Sequence, residues 1–163
     1  GGGDVIVGHS DRRTGEGEGD AIGRAAAAGA LRAGWGASGW VGETEAERRG
    51  GETLSVLACQ VAGSLPDGAT VSNAVIAYEP VWAIGTGVVA SPEQAGQVHS
   101  YLRGLLAGLY SEGVAGSVRI QYGGSVKPDN VKALMAVPDV DGALVGGASL
   151  KPEGFLPIID FAK

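Results

Sequence analysis

The sequence predicts an α/β fold built on parallel strands, and three observations lead to this expectation. Short apolar runs alternate with longer helix-forming stretches along the 163 residues, which is typical of βαβ units. The clearest apolar run, residues 74–77, is followed by Glu79, and Pro80 then ends the strand because proline has no N–H to donate. Glycine-rich segments come after several predicted strands, where loops approach ligands closely.

The predicted elements alternate in chain order. We expect strands at residues 5–7, 37–41, 73–78, 118–121 and 142–145. We expect helices at residues 20–33, 53–62, 91–112, 129–135 and 153–162. The helix from residue 91 has the strongest signal, because Ser91 and Gln94 form a capping box with Pro92 in the first turn. Helical spacing predicts that several apolar side chains face the core, among them Leu54, Leu57, Val61, Phe155, Ile158 and Ile159.

Composition argues against several classes of function. The formal net charge of −6 disfavours nucleic acids and anionic membranes as partners. The single cysteine, Cys59, precludes an internal disulfide, and no Cys/His spacing resembles a zinc site. No apolar run approaches the ~20 residues of a membrane span, and the first residues lack the basic start of a signal peptide. We expect one cytoplasmic domain over residues 1–163, with no metal.

Glu79 is the strongest catalytic candidate. It directly follows a buried strand and precedes a loop, from about Pro80 to Ala90, that is bulky at its start and small at residues 85–87, a composition that suits a mobile lid. A carboxylate in this position is suited to general-base catalysis. The alternative is a solvent-exposed loop glutamate.

Four blocks of sequence resemble the triosephosphate isomerase family. Residues 77–87, Ala-Tyr-Glu-Pro-Val-Trp-Ala-Ile-Gly-Thr-Gly, are similar to the family signature residue for residue, and residues 7–13, 121–125 and 142–150 match further blocks in the same order. One glycine-rich block would be weak evidence, but four in order are specific. The resemblance implies a TIM (β/α)8 barrel. That barrel typically needs ~250 residues, so we expect a partial barrel here, about the last five βα units.

The resemblance also implies a reaction. The family interconverts dihydroxyacetone phosphate and glyceraldehyde 3-phosphate through an enediolate, in glycolysis and gluconeogenesis, without metal or organic cofactor, and as a homodimer. Glu79 matches the family's general base. His9 matches its neutral histidine electrophile, and triosephosphate isomerase is itself the standard example of that use of histidine. A structural histidine at a strand end is the alternative for His9.

The family match also implies phosphate-binding residues: Gly85, Ser125, Gly146 and Gly147. Backbone N–H groups beside such glycines can bind a dianion, although the glycines could instead serve only to make tight turns. Tyr122 and Ser125 resemble the residues that latch the closed lid. A contact between Glu43 and Trp82 is predicted to hold the lid.

Several positions depart from the family pattern. Asp11 stands where the family usually has Glu, so its side chain is one methylene shorter. Trp40 stands where the family usually has Cys, and Val88 where it often has Lys. The family's phosphate-neutralising lysine from the first βα loop has no match, and loss of such a charge can cost several kcal/mol of transition-state stabilisation. We therefore expect little activity from this chain alone.

Other interpretations remain open on the sequence. A non-catalytic phosphate-binding module on a partial barrel would keep the glycine loops without using Glu79. A different phosphate-binding barrel enzyme is disfavoured by the block around Glu79. The second histidine, His99, lies within the long predicted helix and is expected to be either on the surface or in the packing. Arg12 and Arg13 are expected to form ion pairs near the site or the subunit interface, with a solvated cationic pair as the alternative.

Overall fold

The computed structural model describes residues 3–84, 86 and 88–162. Within these residues a single parallel sheet has its strands in chain order: β1 (Asp4–Val7), β2 (Gly36–Val41), β3 (Ala74–Tyr78), β4 (Arg119–Tyr122) and β5 (Gly142–Ala143). All five predicted strands are confirmed, with ends that differ by one or two residues. The sheet is open in the described part of the chain, because β1 and β5 each pair on one side only.

Helices connect successive strands, as the alternating pattern predicted. They are α1 (Ser10–Gly15), α2 (Asp20–Arg32), α3 (Glu45–Arg49), α4 (Thr53–Ser64), α5 (Pro92–Leu109), α6 (Glu112–Ala115), α7 (Val131–Met135) and α8 (Pro152–Ile159), with 3₁₀ turns at Val81–Ala83 and Gly147–Leu150. The predicted capping box at Ser91 is present, with both reciprocal hydrogen bonds to Gln94.

The core lies between one face of the sheet and the helices. Its largest fully buried members are Tyr78, Tyr122, Leu57, Ile76, Leu102, Leu106 and Ile120. Because side chains alternate along a strand, the intervening residues point to the opposite face. Ile6 on β1 and Trp40 on β2 belong to that second face and line a cavity.

The register aligns the carboxyl ends of the strands. Val41 lies beside Tyr78, and Tyr78 lies beside Tyr122. Backbone hydrogen bonds continue this alignment just past the strands: the N–H of Glu79 donates to Val41 O (2.8 Å) and the N–H of Gly123 donates to Tyr78 O (2.7 Å). The loops after the strands therefore meet at one edge of the sheet.

Some helix predictions were wrong in detail. The helix from residue 91 ends at Leu109, because Ser111 caps a separate helix, α6. The last helix ends at Ile159, whose side chain is 56% exposed rather than inward. Leu54 at the start of α4 is also exposed, whereas Leu57 and Val61 are buried as expected.

The sequence left one feature open, the place of His99, and missed another, helix α3. His99 is fully buried on α5, which decides between the surface and packing alternatives in favour of packing. Helix α3 had no prediction, although its capping box at Thr44 and Glu47 is the Thr-x-x-Glu pattern that marks helix starts.

Candidate active site

A cavity of about 750 Å³ lies at the carboxyl ends of the strands. Its lining comes from the segments that follow β1, β3, β4 and β5, together with the second face of the sheet. The predicted site residues among the lining are His9, Asp11, Glu79, Ser125, Gly146 and Gly147. Residues from distant parts of the sequence therefore share one cavity.

Glu79 is buried, with 3% of its surface exposed, and its carboxylate is held by Ser10. The backbone N–H of Ser10 donates to Oε2 (3.0 Å) and the Ser10 hydroxyl donates to Oε1 (2.9 Å). Sequence reasoning assigned no role to Ser10, which lies 69 residues away along the chain. The only available signal was its place in the Gly-His-Ser block.

Gly42 makes room for the backbone of Glu79. A Cβ atom on Gly42 would lie 1.7 Å from the carbonyl oxygen of Glu79, far inside contact distance. Gln60 fixes the same glycine: its side chain accepts from Gly42 N–H (2.8 Å) and donates to Gly42 O (3.0 Å). A side chain at position 42 would displace the main chain that carries Glu79.

His9 precedes α1 and lies beside Glu79 in the cavity. Its Nδ1 accepts a hydrogen bond from the backbone N–H of Asp11 (3.1 Å). An imidazole that accepts at Nδ1 carries its hydrogen on Nε2 when neutral. Nε2 lies 3.4 Å from Oε1 of Glu79. The N–H that a substrate oxygen would meet is thus adjacent to the candidate base.

Asp11 contributes to the site mainly through its main chain. Its side chain is 86% exposed, and its Oδ2 lies 3.7 Å from Nδ1 of His9. The shorter side chain at this position therefore leaves the backbone contact with His9 intact.

The two arginines that follow Asp11 form the expected ion pairs. Arg12 pairs with Glu18, and this hydrogen bond lowers the pKa of the Glu18 carboxyl. Arg13 pairs with Asp20 (2.5 Å) and also donates from Nε to Gly8 O (2.7 Å). Because Gly8 is the residue before His9, with φ of 76°, Arg13 fixes the turn that carries the histidine.

Glu43 is the centre of a buried polar cluster beside the lid segment. Its Oε1 accepts from Arg48 (2.9 Å), from the indole N–H of Trp82 (3.0 Å) and from the hydroxyl of Tyr78 (3.2 Å). The Arg48 guanidinium also lies 4.4 Å from the centre of the Trp82 ring. Burial, and next the charge of Glu43, raise the pKa of Tyr78. The predicted contact between Glu43 and Trp82 is present.

Tyr122 brings a phenol close to the start of the lid segment. A Cβ on Gly124 would lie 2.3 Å from Tyr122 Oη and 2.9 Å from Pro80 Cγ. Burial raises the pKa of Tyr122 to about 12, with the backbone of Ala90 acting in the opposite direction. The buried Oη has no hydrogen-bond partner among the residues that the structure describes.

Three of the four predicted phosphate-binding residues lie together. Ser125, Gly146 and Gly147 line the same cavity, and apart from the chain neighbours no atom of the described residues lies within 4 Å of the Cβ position at either glycine. Gly85 lies outside the described residues. Lys127, which matched no family block, also lines the cavity and adds a cation to it.

The family model described as triosephosphate isomerase matches residues 1–162. The chain belongs to the triosephosphate isomerase family. It is 58% identical over 154 residues to the triosephosphate isomerase of Rhodopseudomonas palustris (strain BisA53), covering 94% of this chain and 60% of the relative. It is 56% identical over 155 residues to that of Dinoroseobacter shibae (strain DSM 16493 / NCIMB 14021 / DFL 12), covering 95% and 63%.

A solved member of the triosephosphate isomerase family has the same fold. The crystal structure of triosephosphate isomerase from Bartonella henselae superposes with a TM-score of 0.93 at 45% sequence identity, and the match covers 100% of this chain and 66% of that one. The partial TIM barrel predicted from the sequence is thus confirmed, as a five-stranded parallel part of that fold. The chain spans about three fifths of the length of the curated relatives that it matches.

In residues 3–84, 86 and 88–162, no group of three or more His, Cys, Asp or Glu side chains could hold a metal ion. None of the helices in this part of the chain is both long and apolar enough to cross a lipid bilayer.

Proposed function

We propose that this site interconverts dihydroxyacetone phosphate and glyceraldehyde 3-phosphate by proton transfer. The observation that carries the proposal is the juxtaposition of Glu79 Oε1 and His9 Nε2, 3.4 Å apart, in a cavity that Ser125 and the glycine pair Gly146–Gly147 also line. A base, a neutral hydrogen-bond donor and backbone-rich loops are the groups that an enediolate reaction on a phosphate ester requires.

Each residue has a defined step in the proposed reaction. Glu79 removes a proton from the carbon next to the substrate carbonyl, and the N–H of His9 donates to the oxygen on which negative charge develops. Glu79 then returns its proton to the neighbouring carbon, while His9 gives its Nε2 proton to the former carbonyl oxygen and takes the proton of the adjacent hydroxyl, so that hydroxyl and carbonyl exchange places and His9 regains its N–H. In the described arrangement Ser10 donates one hydrogen bond to each carboxylate oxygen, and each oxygen keeps a second lone pair that can take the substrate proton.

Phosphate binding in this proposal depends on local groups, because the net charge of −6 repels a dianion. Ser125 and the backbone at Gly146 and Gly147 would hold the phosphate, and Lys127 supplies the cation on that side of the cavity. Gly85 stays a prediction for the same role.

The lid would close over the bound phosphate and exclude water from the enediolate. Its first turn is held through Trp82 and Glu43. Its far end, near Ala90, approaches Tyr122, whose hydroxyl has no hydrogen-bond partner in the described part of the chain. We propose that Tyr122 and Ser125 latch the closed lid.

The remaining expectations for the whole protein are part of the same proposal. They are a cytoplasmic place in glycolysis and gluconeogenesis, a homodimer, and no cofactor. The chain covers 60% of the Rhodopseudomonas relative, and the phosphate-neutralising lysine of the first βα loop has no counterpart in it. We therefore expect low turnover by the 163-residue chain by itself.

A coupled assay of triose phosphate interconversion tests the proposal. The chain is assayed alone and after fusion to the preceding segment of the Rhodopseudomonas relative, each with and without Glu79→Asp. We expect the fusion to be active and Glu79→Asp to lower its kcat about a hundredfold, since a shorter carboxylate is displaced by about 1 Å. Glu112→Asp, on the distant helix α6, is the matched control and should leave the rate unchanged.

The alternative of a non-catalytic phosphate-binding module predicts a different result. In that case the fusion would bind inorganic phosphate with an affinity insensitive to Glu79→Asp, and neither protein would turn over triose phosphate. Such a result would reject the isomerase proposal for this chain.

A further inference from the structure

Trp40 lies on the cavity face of the sheet in a space that small neighbours leave open. Its register partner on β3 is Ala77, and Ser38 precedes it on the same face of β2. The indole N–H donates to Ser38 Oγ (3.2 Å), and only 8% of the residue is exposed. The ring is therefore pinned at one end and packed along its length.

The free face of this indole meets the imidazole of His9. The two ring centres are 4.5 Å apart and the ring planes are inclined at 41°, which is within the range of a favourable aromatic contact. Both residues line the cavity, and Trp40 comes from β2 while His9 follows β1. The contact therefore joins the histidine to a strand other than its own.

This contact supplies a restraint that the hydrogen bond to His9 lacks. Among the described residues, Nδ1 accepts one hydrogen bond, from the N–H of Asp11. A ring held at one atom can still pivot about its own side-chain bonds, and such a pivot breaks that hydrogen bond. A pivot would carry Nε2 away from Glu79. The indole blocks the pivot on the side that it covers, because the imidazole cannot turn through the plane of a packed ring.

We propose that Trp40 is a positioning residue, whose indole holds the His9 imidazole so that its Nε2–H points into the cavity beside Glu79. The consequence for catalysis rests on the proposed isomerase function, whereas the positioning itself does not. The charged groups that face the imidazole are the carboxylates of Glu79 and Asp11. Trp40 covers one side of the ring with an uncharged surface and so restrains it without adding a charge.

Nuclear magnetic resonance on the ¹⁵N-labelled 163-residue chain tests the positioning directly. Two-bond ¹H–¹⁵N spectra at about pH 8, where an ordinary imidazole is neutral, report which ring nitrogen carries the hydrogen. His9 should show hydrogen on Nε2. His99, whose Nδ1 donates to Asp139 O (3.0 Å), should show the opposite tautomer and serves as an internal reference.

The variants separate positioning from simple filling of space. Trp40→Leu removes the aromatic face, and we expect the His9 signals to move toward a mixture of tautomers while those of His99 stay in place. Trp40→Phe keeps a ring against His9 and should restore the single tautomer. Trp35→Leu, at an exposed tryptophan, is the matched control and should change neither histidine.

The proposal is overturned if the His9 signals in Trp40→Leu coincide with those in Trp35→Leu. If Trp40→Leu fails to fold, so that the His99 reference is also lost, Ser38→Ala decides: releasing the indole should broaden the His9 signals, and unchanged signals reject the proposal.

The same variants in the fused protein measure the catalytic consequence. Trp40→Leu should lower kcat about tenfold with KM altered less than about twofold, and Trp40→Phe should recover most of the loss. An inactive fusion whose His9 still responds to Trp40→Leu would reject the isomerase and keep the positioning. An active fusion whose His9 does not respond to Trp40→Leu would keep the isomerase and reject the positioning.

Discussion

Removal of the Glu43 carboxylate is the most severe single test of the polar cluster beside the lid. The side chain of Glu43 is fully buried. Its Oε1 is the shared acceptor for Arg48, Tyr78 and Trp82, at 2.9, 3.2 and 3.0 Å. Glu43→Ala leaves all three donors without this acceptor at once.

The expected loss follows from what remains behind. The Arg48 side chain is 26% exposed, so its cation stays largely withdrawn from water, and Tyr78 is fully buried, out of reach of bulk solvent. Breaking a buried ion pair by removing one partner costs about 3–5 kcal/mol. We expect Glu43→Ala to lower the free energy of unfolding by that amount. Glu43→Gln keeps an acceptor oxygen and should cost about 1–3 kcal/mol.

Urea unfolding followed by tryptophan fluorescence measures both variants. Glu45→Ala is the matched control, because Glu45 pairs with Arg49 on the surface, where the two side chains are 61% and 79% exposed. An exposed pair one helical turn apart contributes about 0.3–0.5 kcal/mol. If the free energy of unfolding of Glu43→Ala lay within about 1 kcal/mol of that of the unmutated chain, the expected loss would be contradicted. The buried donors would then have found other partners.

Three further predictions concern the site and its support. Ser10→Ala removes the hydroxyl that donates to Glu79 Oε1 at 2.9 Å, and urea unfolding should show a loss of about 1.5–3 kcal/mol, typical of a hydrogen bond to a charged group. Gly42→Ala places a methyl group 1.7 Å from Glu79 O and should cost at least about 1–3 kcal/mol, measured by the same unfolding. Burial lowers the pKa of His99. Below about pH 6.5 the unfolded chain therefore binds a proton that the native state excludes, and stability falls as pH falls. His99→Gln should lose less stability than the unmutated chain between about pH 7 and pH 5, as measured by urea titrations at each pH.

Each of these three predictions has its own control or an outcome that would contradict it. Gly104→Ala, in the middle of α5 with open space at the Cβ position, should stabilise the chain by about 0.5–1 kcal/mol. If both glycine variants behaved alike, close approach at Gly42 would not be the reason for glycine there. Ser10→Thr keeps the hydroxyl and should retain most of the stability that Ser10→Ala loses. If stability depended on pH in the same way for His99→Gln and for the unmutated chain, His99 would be protonated equally in the native and unfolded states.

The strands and most helices could be predicted because their causes are local. The run Ala74–Tyr78 is apolar and ends two residues before Pro80, so its identity as a strand depends on side chains within a few positions. The helix from Ser91 is similarly marked by its own cap. The prediction for Ile159 was wrong because local spacing does not determine how a helix packs. Its spacing suits a core position, but the packing of α8 leaves it exposed to solvent.

Candidate residues could also be located, because parallel strands place everything that follows them at one edge. Glu79 and His9 each come after a strand, so their shared cavity followed from topology once the strands were assigned. The partners of these residues could not be located. Ser10 is 69 positions from Glu79, and Tyr78 is 35 positions from Glu43, and no local pattern encodes such pairs.

Local chemistry in the sequence thus determined which segments become strands and helices, and which polar residues stand at their carboxyl ends. The tertiary structure alone decided how those residues are held: Glu79 by Ser10, the Glu79 backbone against Gly42, and the ring of His9 against Trp40. The physical reason is that propensity and capping act over a few residues. Hydrogen-bond distances and ring contacts depend instead on the register between strands and on side-chain packing, and these are defined only when the whole sheet has formed.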